Sequence, residues 1–267
     1  MTPAEGLAEP VAARIAAAAA GQGAPLIAGL TGAQGSGKST LAEQLPARLA
    51  ARGLRAVVLA LDDLYLPKAA RRRLAREVHP LLATRGVPGT HDVALGLEVL
   101  ASLGRAGATR IPRFDKGADE RLPPSQWTSF EGPAEVIVFE GWCVGARPQP
   151  PAALAAPVNE LERTRDPDGV WRAFVNDALA GPYRALFDPI GFQALLLAPG
   201  FDVVLGWREQ QEHKLIARGG PGQTDAELAV FVQNYERLTR YIAEEMPGRA
   251  DVVVQLDRER RVLAIGP

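Results

Sequence analysis

The 267-residue chain is 47% hydrophobic and carries a formal net charge of −1, which supports a sizeable core and argues against a nucleic-acid footprint. One cysteine, Cys143, excludes an intramolecular disulfide framework and a cysteine-rich zinc site, and three histidines do not furnish a multi-histidine metal centre. The apolar run Ile15 to Ala20 is short and follows Glu5 and Glu9, so no leader or membrane span is read and a cytoplasmic protein is expected.

Residues 3–20 are Ala-rich and predict a helix, stopped by Gly21-Gln22-Gly23. The apolar run Leu26 to Leu30 suits a buried strand. It leads into Gly32-Ala33-Gln34-Gly35-Ser36-Gly37-Lys38-Ser39, followed by Thr40 and a helical pattern to about Ala51. This is G-x-x-x-x-G-K-S, a phosphate-cradling loop in its strand–loop–helix setting. Its glycines let amide N–H groups turn toward an anion, which the helix N-terminus also favours. Lys38 would reach the β- and γ-phosphates of a nucleotide and the Ser39 hydroxyl would ligate Mg²⁺. Pro46 is expected to kink or break the helix.

Arg55 to Leu61 predicts a second strand, ending in Asp62-Asp63-Leu64-Tyr65. Lys68 to Arg76 reads as a helix with a solvated basic face, and Arg85 to Asp92 as a loop preceding another helix. Ile111 to Arg121 reads as an irregular loop, and Glu135 to Phe139 as a third strand ending in Glu140-Gly141-Trp142. Pro148 to Pro157 is a linker or surface loop, Glu160 to Ala198 is mostly helical, and Phe201 to Leu205 is a fourth strand followed by Trp207-Arg208. A long helix from Asp225 to Met246, capped by Thr224 or Asp225, precedes a fifth strand at Val252 to Leu256 and a turn into Val262 to Ile265. The alternation predicts an α/β fold with a mostly parallel sheet and helices on both faces. We expect one domain over residues 1–267, with a helical insertion at about 150–200 and a lid-like segment at about 208–222.

Ligands of open α/β sheets sit beyond the carboxyl ends of the strands. Three predicted strands end there in the phosphate loop, in Asp62-Asp63 and in Glu140, a convergence that points to catalysis. Phosphoryl transfer to an alcohol needs a held nucleotide, a metal bridging its phosphates and a carboxylate to take the hydroxyl proton. Asp62 is the candidate base and a candidate metal contact. Glu140 is the candidate Mg²⁺ contact beside Ser39, or else a cap on the turn at Gly141. Asp63 is a helix cap, an outer acid or a direct participant. Arg208 shares a helix face with Gln211, Leu215 and Arg218, either a lid over the phosphates or a solvated charged face. Tyr65, Arg85, His91, Asp92, Arg113, Asp115, Lys116 and Arg121 are candidates for an acceptor pocket whose cations suit a small, hydroxylated, anionic metabolite. From local sequence, Asp92 is equally an N-cap and His91 a surface turn residue.

The blocks Gly32 to Thr40, Leu61-Asp62-Asp63-Leu64-Tyr65-Leu66, Arg85 to Asp92, Pro112-Arg113-Phe114-Asp115-Lys116, Phe139-Glu140-Gly141-Trp142 and Trp207-Arg208-Glu209-Gln210-Gln211-Glu212 together resemble the P-loop D-glycerate 3-kinases. The likeness runs from about residue 26 to about 245 and includes Val158 to Asn176 and Phe231 to Tyr235. The resemblance implies a fold shared with uridine kinases, phosphoribulokinases and bacterial pantothenate kinases, and a reaction using ATP and Mg²⁺. It also implies a base matching Asp62, a strand-end acid matching Glu140, and an acceptor-contacting loop that includes Asp92. Leu64 stands where an aromatic is more usual, and Gly117 to Arg121 is an altered form of a glycine-rich stretch ending in Asp-Arg. The acceptor expected first is D-glycerate; a nucleoside, pantothenate or a sugar is the alternative. A nucleotide-driven switch is a further reading, although no guanine-reading N-K-x-D is present.

Overall fold

A computed structural model describes residues 3–217 and 222–267. The elements run α1 (Pro3–Ala19), β1 (Leu26–Gly32), α2 (Lys38–Ala50), β2 (Ala56–Ala60), α3 (Lys68–Glu77), α4 (Val93–Leu103), β3 (Gly107–Ile111), β4 (Phe114–Asp115), β5 (Glu120–Arg121), β6 (Thr128–Gly132), β7 (Val136–Glu140), α5 (Glu160–Arg165), α6 (Val170–Ala180), α7 (Pro182–Phe187), β8 (Ile190–Leu197), α8 (Asp202–Ala217), α9 (Asp225–Glu245), β9 (Val252–Leu256) and β10 (Val262–Gly266). Six strands form the main sheet in the order β10-β9-β8-β1-β7-β2. The pairs β8–β9, β8–β1, β1–β7 and β7–β2 are parallel, and only β10 runs antiparallel, against β9.

Alternation along β7 shows why the sheet is covered twice. Val136 and Val138 join a core with Leu41, Leu45 and Leu49 of α2 and Val11 and Ile15 of α1. Ile137 and Phe139 face the other way, toward Leu103 of α4, Leu186 of α7 and Leu238 of α9. A strand buried on both faces reads as the continuous apolar run seen in the sequence. α2 runs through Pro46, whose half-buried ring lies off the buried row of Leu41, Ala42, Leu45 and Leu49.

Three sequence expectations are corrected. Residues 201–205 are not a strand: Val203, Val204 and Trp207 are buried at helical spacing on α8. The strand beside β1 is Ile190–Leu197, so the helical stretch after residue 160 ends at Phe187. A short apolar run fits either element, and here the parallel register of six residue pairs against β1 decides. Residues 111–121 are not wholly irregular: Ile111 closes β3, which pairs with β6, and Phe114–Asp115 pairs antiparallel with Glu120–Arg121 as β4 and β5. The basic helix α3 has the expected solvated face, with Arg72, Arg73 and Arg76 exposed, while its Arg71 turns inward and is 1% exposed. Of the expected lid-like segment, residues 208–217 continue α8, while 218–221, including Arg218, lie outside the described residues. No helix of the described residues is long and apolar enough to cross a membrane.

The loop after β1 depends on two left-handed glycines, Gly35 at φ 79° and Gly37 at φ 93°. A Cβ on Gly35 would fall 2.5 Å from Trp207 Cβ, whereas one on Gly37 would meet open space. Strain is therefore common to both positions and collision belongs to Gly35 alone. Gly35→Ala should weaken nucleotide binding well beyond Gly37→Ala in a titration; equal losses would mean that Trp207 does not shape the loop.

The α5 segment is tied to α9 by ions out of water. Arg237 donates from Nε and Nη2 to Glu162 at 2.8 and 2.7 Å, and to the carbonyls of Ala153 and Ala156. Glu162 is fully buried and also accepts from the Val158 amide. Removing one partner strands the other. Arg237→Ala should cost about 3–5 kcal/mol in urea unfolding, and Arg237→Met with Glu162→Met far less. A single variant within experimental error of the parent would show the pair to be dispensable.

Candidate active site

Because β7 lies between β1 and β2, the three reactive strand ends are neighbours: Leu30 of β1 and Ala60 of β2 both register with Glu140. The phosphate loop, Glu140 and Asp62 therefore meet over the same edge of the sheet. Glu140 is 7% exposed and accepts a hydrogen bond from the Ser39 hydroxyl at 3.0 Å. Burial pushes its carboxyl above the ordinary range, against the pull of Lys38.

Asp62 lies in a short 3₁₀ turn after β2. Its Oδ1 accepts from the Tyr65 hydroxyl at 2.7 Å and its Oδ2 from the Lys116 ammonium at 2.6 Å. Burial works to raise this carboxyl, but Lys116 and Lys38 outweigh it and hold Asp62 well below the ordinary value of 3.8. Lys116 is raised in return, chiefly by Asp62. Lys38, Ser39, Asp62, Tyr65, Arg85 and Lys116 line one cavity of about 160 Å³, with Arg208 and Gln211 of α8 and Trp142, Phe231 and Tyr235 opposite.

Arg208 is on α8, not directly after a strand. It donates to Gln211 at 2.9 Å and to the buried Glu212 at 2.8 Å, and its Nε is buried without a partner. Ser36 Oγ and Gln34 Oε1 are likewise buried and unpartnered in the loop. Ala33 packs with Val204 and Val232, and Gly32 closes tightly on Ser36 and Leu196. Thr40 is exposed at the first turn of α2.

The other expected acceptor contacts divide. Asp63 accepts from Arg113 at 2.6 Å and from the Phe114 amide at 3.0 Å, so both oxygens fasten the β4–β5 hairpin to the strand end. Asp92 caps α4 by accepting from the Leu95 amide and pairs with Arg121, which also donates to the Tyr65 carbonyl. His91 is not a surface turn residue. It is buried, stacked on Tyr65 at 4.6 Å, with its Nδ1 2.5 Å from the Tyr183 hydroxyl. Burial depresses it to about 3, so it is neutral. Asp115 turns its own loop by accepting from the Gly117 and Ala118 amides. Arg85 donates to Asp119 at 2.5 Å and to the Lys116 carbonyl at 3.2 Å.

Sequence reasoning missed Tyr183, Arg71 and Arg260. Arg260 donates to the Gly35 carbonyl at 3.2 Å and lies over the Trp207 ring at 5.6 Å. It comes from the β9–β10 turn, and no local pattern marks it. Arg71 is hidden by its basic neighbours.

This donor set suits Mg²⁺. Ser39 and Glu140 supply two hard oxygens, and no cluster of three or more His, Cys, Asp or Glu side chains able to hold a metal exists among the described residues. Magnesium keeps waters and substrate oxygens in such sites. The buried, unpartnered Ser36 and Gln34 oxygens beside Lys38 mark a surface completed by a ligand.

Residues 5–65 match the family model of the methylmalonyl-CoA mutase-associated GTPase MeaB, a span that ends with the second strand and its acids. The chain is 36% identical over 225 residues to the uncharacterized kinase mug58 of Schizosaccharomyces pombe, covering 80% of this chain and 79% of that one. It is 31% identical over 257 residues to the chloroplastic D-glycerate 3-kinase of Arabidopsis thaliana, covering 88% of this chain and 53% of that protein. The solved D-glycerate 3-kinase of Cryptococcus neoformans superposes with a TM-score of 0.81 at 26% identity, over 97% of this chain and 98% of that one. The chain belongs to the same family of P-loop kinases as mug58, ATP-dependent phosphotransferases with an alcohol group as acceptor.

Proposed function

We propose that this kinase transfers the γ-phosphoryl group of ATP to a hydroxyl of D-glycerate or a closely similar small hydroxy acid. The observation that carries the reading is the position of Asp62: its carboxylate shares one cavity with Lys38 and Ser39 on the nucleotide side and with Tyr65, Arg85 and Lys116 on the hairpin side. Names of two relatives, D-glycerate 3-kinases of a plant and a fungus, support the acceptor.

In this reading the loop from Gly32 to Thr40 cradles the phosphates and Lys38 offsets their charge. Ser39 and Glu140 would hold Mg²⁺, directly or through water, which neutralises phosphate charge when bound. Asp62 orients the acceptor hydroxyl and takes its proton. A weakly basic carboxylate is enough, because the proton leaves late in a loose phosphoryl transfer. Lys116 must loosen from Asp62 as the hydroxyl arrives, and its freed charge then faces the acceptor's anion with Arg85. Arg208, hinged on Gln211 and Glu212, supplies a second cation to the transferring group.

ATP consumption measured across D-glycerate, uridine, pantothenate and ribulose 5-phosphate tests the acceptor. Strong dependence on glycerate is expected; turnover indifferent to all four sinks the reading. Asp62→Asn should retain ATP binding while losing about 10²–10⁴-fold in turnover, and Lys38→Ala should abolish turnover. Near-normal rates in either variant would remove that residue from its role.

The pH dependence carries a sign. Asp62 is depressed in the folded protein, so its stabilising contribution is present above the unfolded carboxyl value and lost as pH falls through the folded one. Lys116 is the larger of the two opposing charges. In Lys116→Met, burial prevails, the Asp62 carboxyl rises, and the acid limb of kcat/KM, which reports the free enzyme, moves to higher pH. An unmoved limb would separate Lys116 from the ionisation of Asp62.

A further inference from the structure

The turn between β9 and β10, residues 257–261, lies far in sequence from the phosphate loop and reaches it through one side chain. Asp257 fixes the turn. Its Oδ1 accepts from the Glu259 and Arg261 amides at 2.9 and 2.8 Å, and its carbonyl accepts from the Arg260 amide at 3.0 Å. Arg260 is thereby held at φ 65°, one of two non-glycine residues in the left-handed region among the described residues. Glycine or asparagine is relaxed in that conformation, and a long side chain is not.

The same turn grips α8. The Arg258 carbonyl accepts from Trp207 Nε1 at 2.8 Å, and the Arg258 side chain donates to Asp202. Arg260 adds a third tie and carries it on to the phosphate loop. Its Nη2 donates to Gln210 Oε1 and its Nη1 to the Gly35 carbonyl at 3.2 Å, while the guanidinium lies 5.6 Å from the centre of the Trp207 ring. Gly35 is therefore held at its carbonyl by Arg260 and crowded by Trp207, which a Cβ at position 35 would meet at 2.5 Å. Both anchors of the guanidinium are neutral oxygens. What it supplies is not an ion pair but two donors in a rigid fork. α8 in turn carries Arg208 and Gln211 into the cavity that Lys38, Ser39 and Asp62 also line. One side chain thus joins the loop that cradles phosphates to the helix that bears Arg208.

We propose that Arg260 is a positioning residue for phosphoryl transfer: by bridging Gly35 to Gln210 it holds the phosphate loop and Arg208 in one geometry. The inference rests on the reading of the Lys38 loop as the ATP site and of Arg208 as a cation that meets the transferring group. Arg260 itself touches no reacting atom. It acts through the Gly35 peptide, which sets how the loop faces the phosphates, and through α8, which sets where Arg208 stands.

Calorimetric titration with ATP and steady-state kinetics with D-glycerate, both on the full chain, test this. Arg260→Asn suits the left-handed backbone and removes the fork. Its unfolding midpoint without nucleotide should match the wild type. ATP should bind about tenfold more weakly, and kcat should fall about 10–10²-fold with KM for D-glycerate unchanged. Arg260→Lys keeps the charge but not the fork, and should behave as Arg260→Asn does. Arg208→Ala should cost far less kcat in the Arg260→Asn background than in the wild type, because the two residues act through one arrangement. Gln210→Ala leaves the turn intact and should reproduce the loss in kcat; it decides the matter if Arg260→Asn does not fold. Wild-type kcat in Arg260→Asn or in Gln210→Ala, full recovery in Arg260→Lys, or strictly multiplicative losses with Arg208→Ala overturn the proposal. So does a lowered unfolding midpoint with ATP binding retained, which would make Arg260 a structural tie alone. A wild type that neither binds ATP nor shows acceptor-dependent turnover defeats the reading of the cleft, and this inference with it; a competent wild type indifferent to Arg260 defeats the inference alone.

Discussion

A carboxylate buried at the end of β7, held against the Ser39 hydroxyl, fixes where the rest of the cleft must lie. Taking such a group out of water is costly, and here Ser39 and the charge of Lys38 on the same loop offset part of that cost. The compensation works only if α2 begins where it does. That start depends on glycines in left-handed conformations at 35 and 37, and on Trp207 and Arg260 closing over the loop from α8 and the β9–β10 turn. Elements far apart in sequence are therefore committed to one small volume by a single desolvated acid.

Charge organises the other side of the cleft in the same way. Lys116, Arg85 and Arg208 each face the cavity already engaged with an acidic side chain. Held cations need little reorganisation when a phosphate or carboxylate arrives, because exchange of one anion for another preserves their geometry.

Much of this was legible in the chain. The glycine loop announced itself because its chemistry demands residue types in fixed spacing, and the strand ends at Asp62 and Glu140 followed from where short apolar runs stop. Phe201 to Leu205 misled because a short, mostly apolar run of five residues fits either element; what made it helix was burial of Val203, Val204 and Trp207 along one face. The true strand, Ile190–Leu197, was submerged in a longer apolar, helix-like stretch. Arg71 and Arg260 were invisible for a different reason. Their partners, Asp119 and the Gly35 carbonyl, are supplied by distant turns, and no local pattern encodes such a meeting.

The two adjacent acids after β2 show how a fold separates holding from exchanging. Asp63 has one oxygen on the Phe114 amide and the other on Arg113, so its bonds are to backbone and to a side chain anchored beside it. Breaking them would release the β4–β5 hairpin from the strand end. Asp62 is bound instead to Tyr65, whose ring is stacked on buried His91, and to Lys116, whose side chain is 60% exposed. One of its partners is rigid and orients the carboxylate; the other is on a flexible, solvated stem and can leave. A carboxylate that must accept a new hydroxyl needs that combination, one fixed contact and one replaceable one. Of the neighbouring pair, only Asp62 has it.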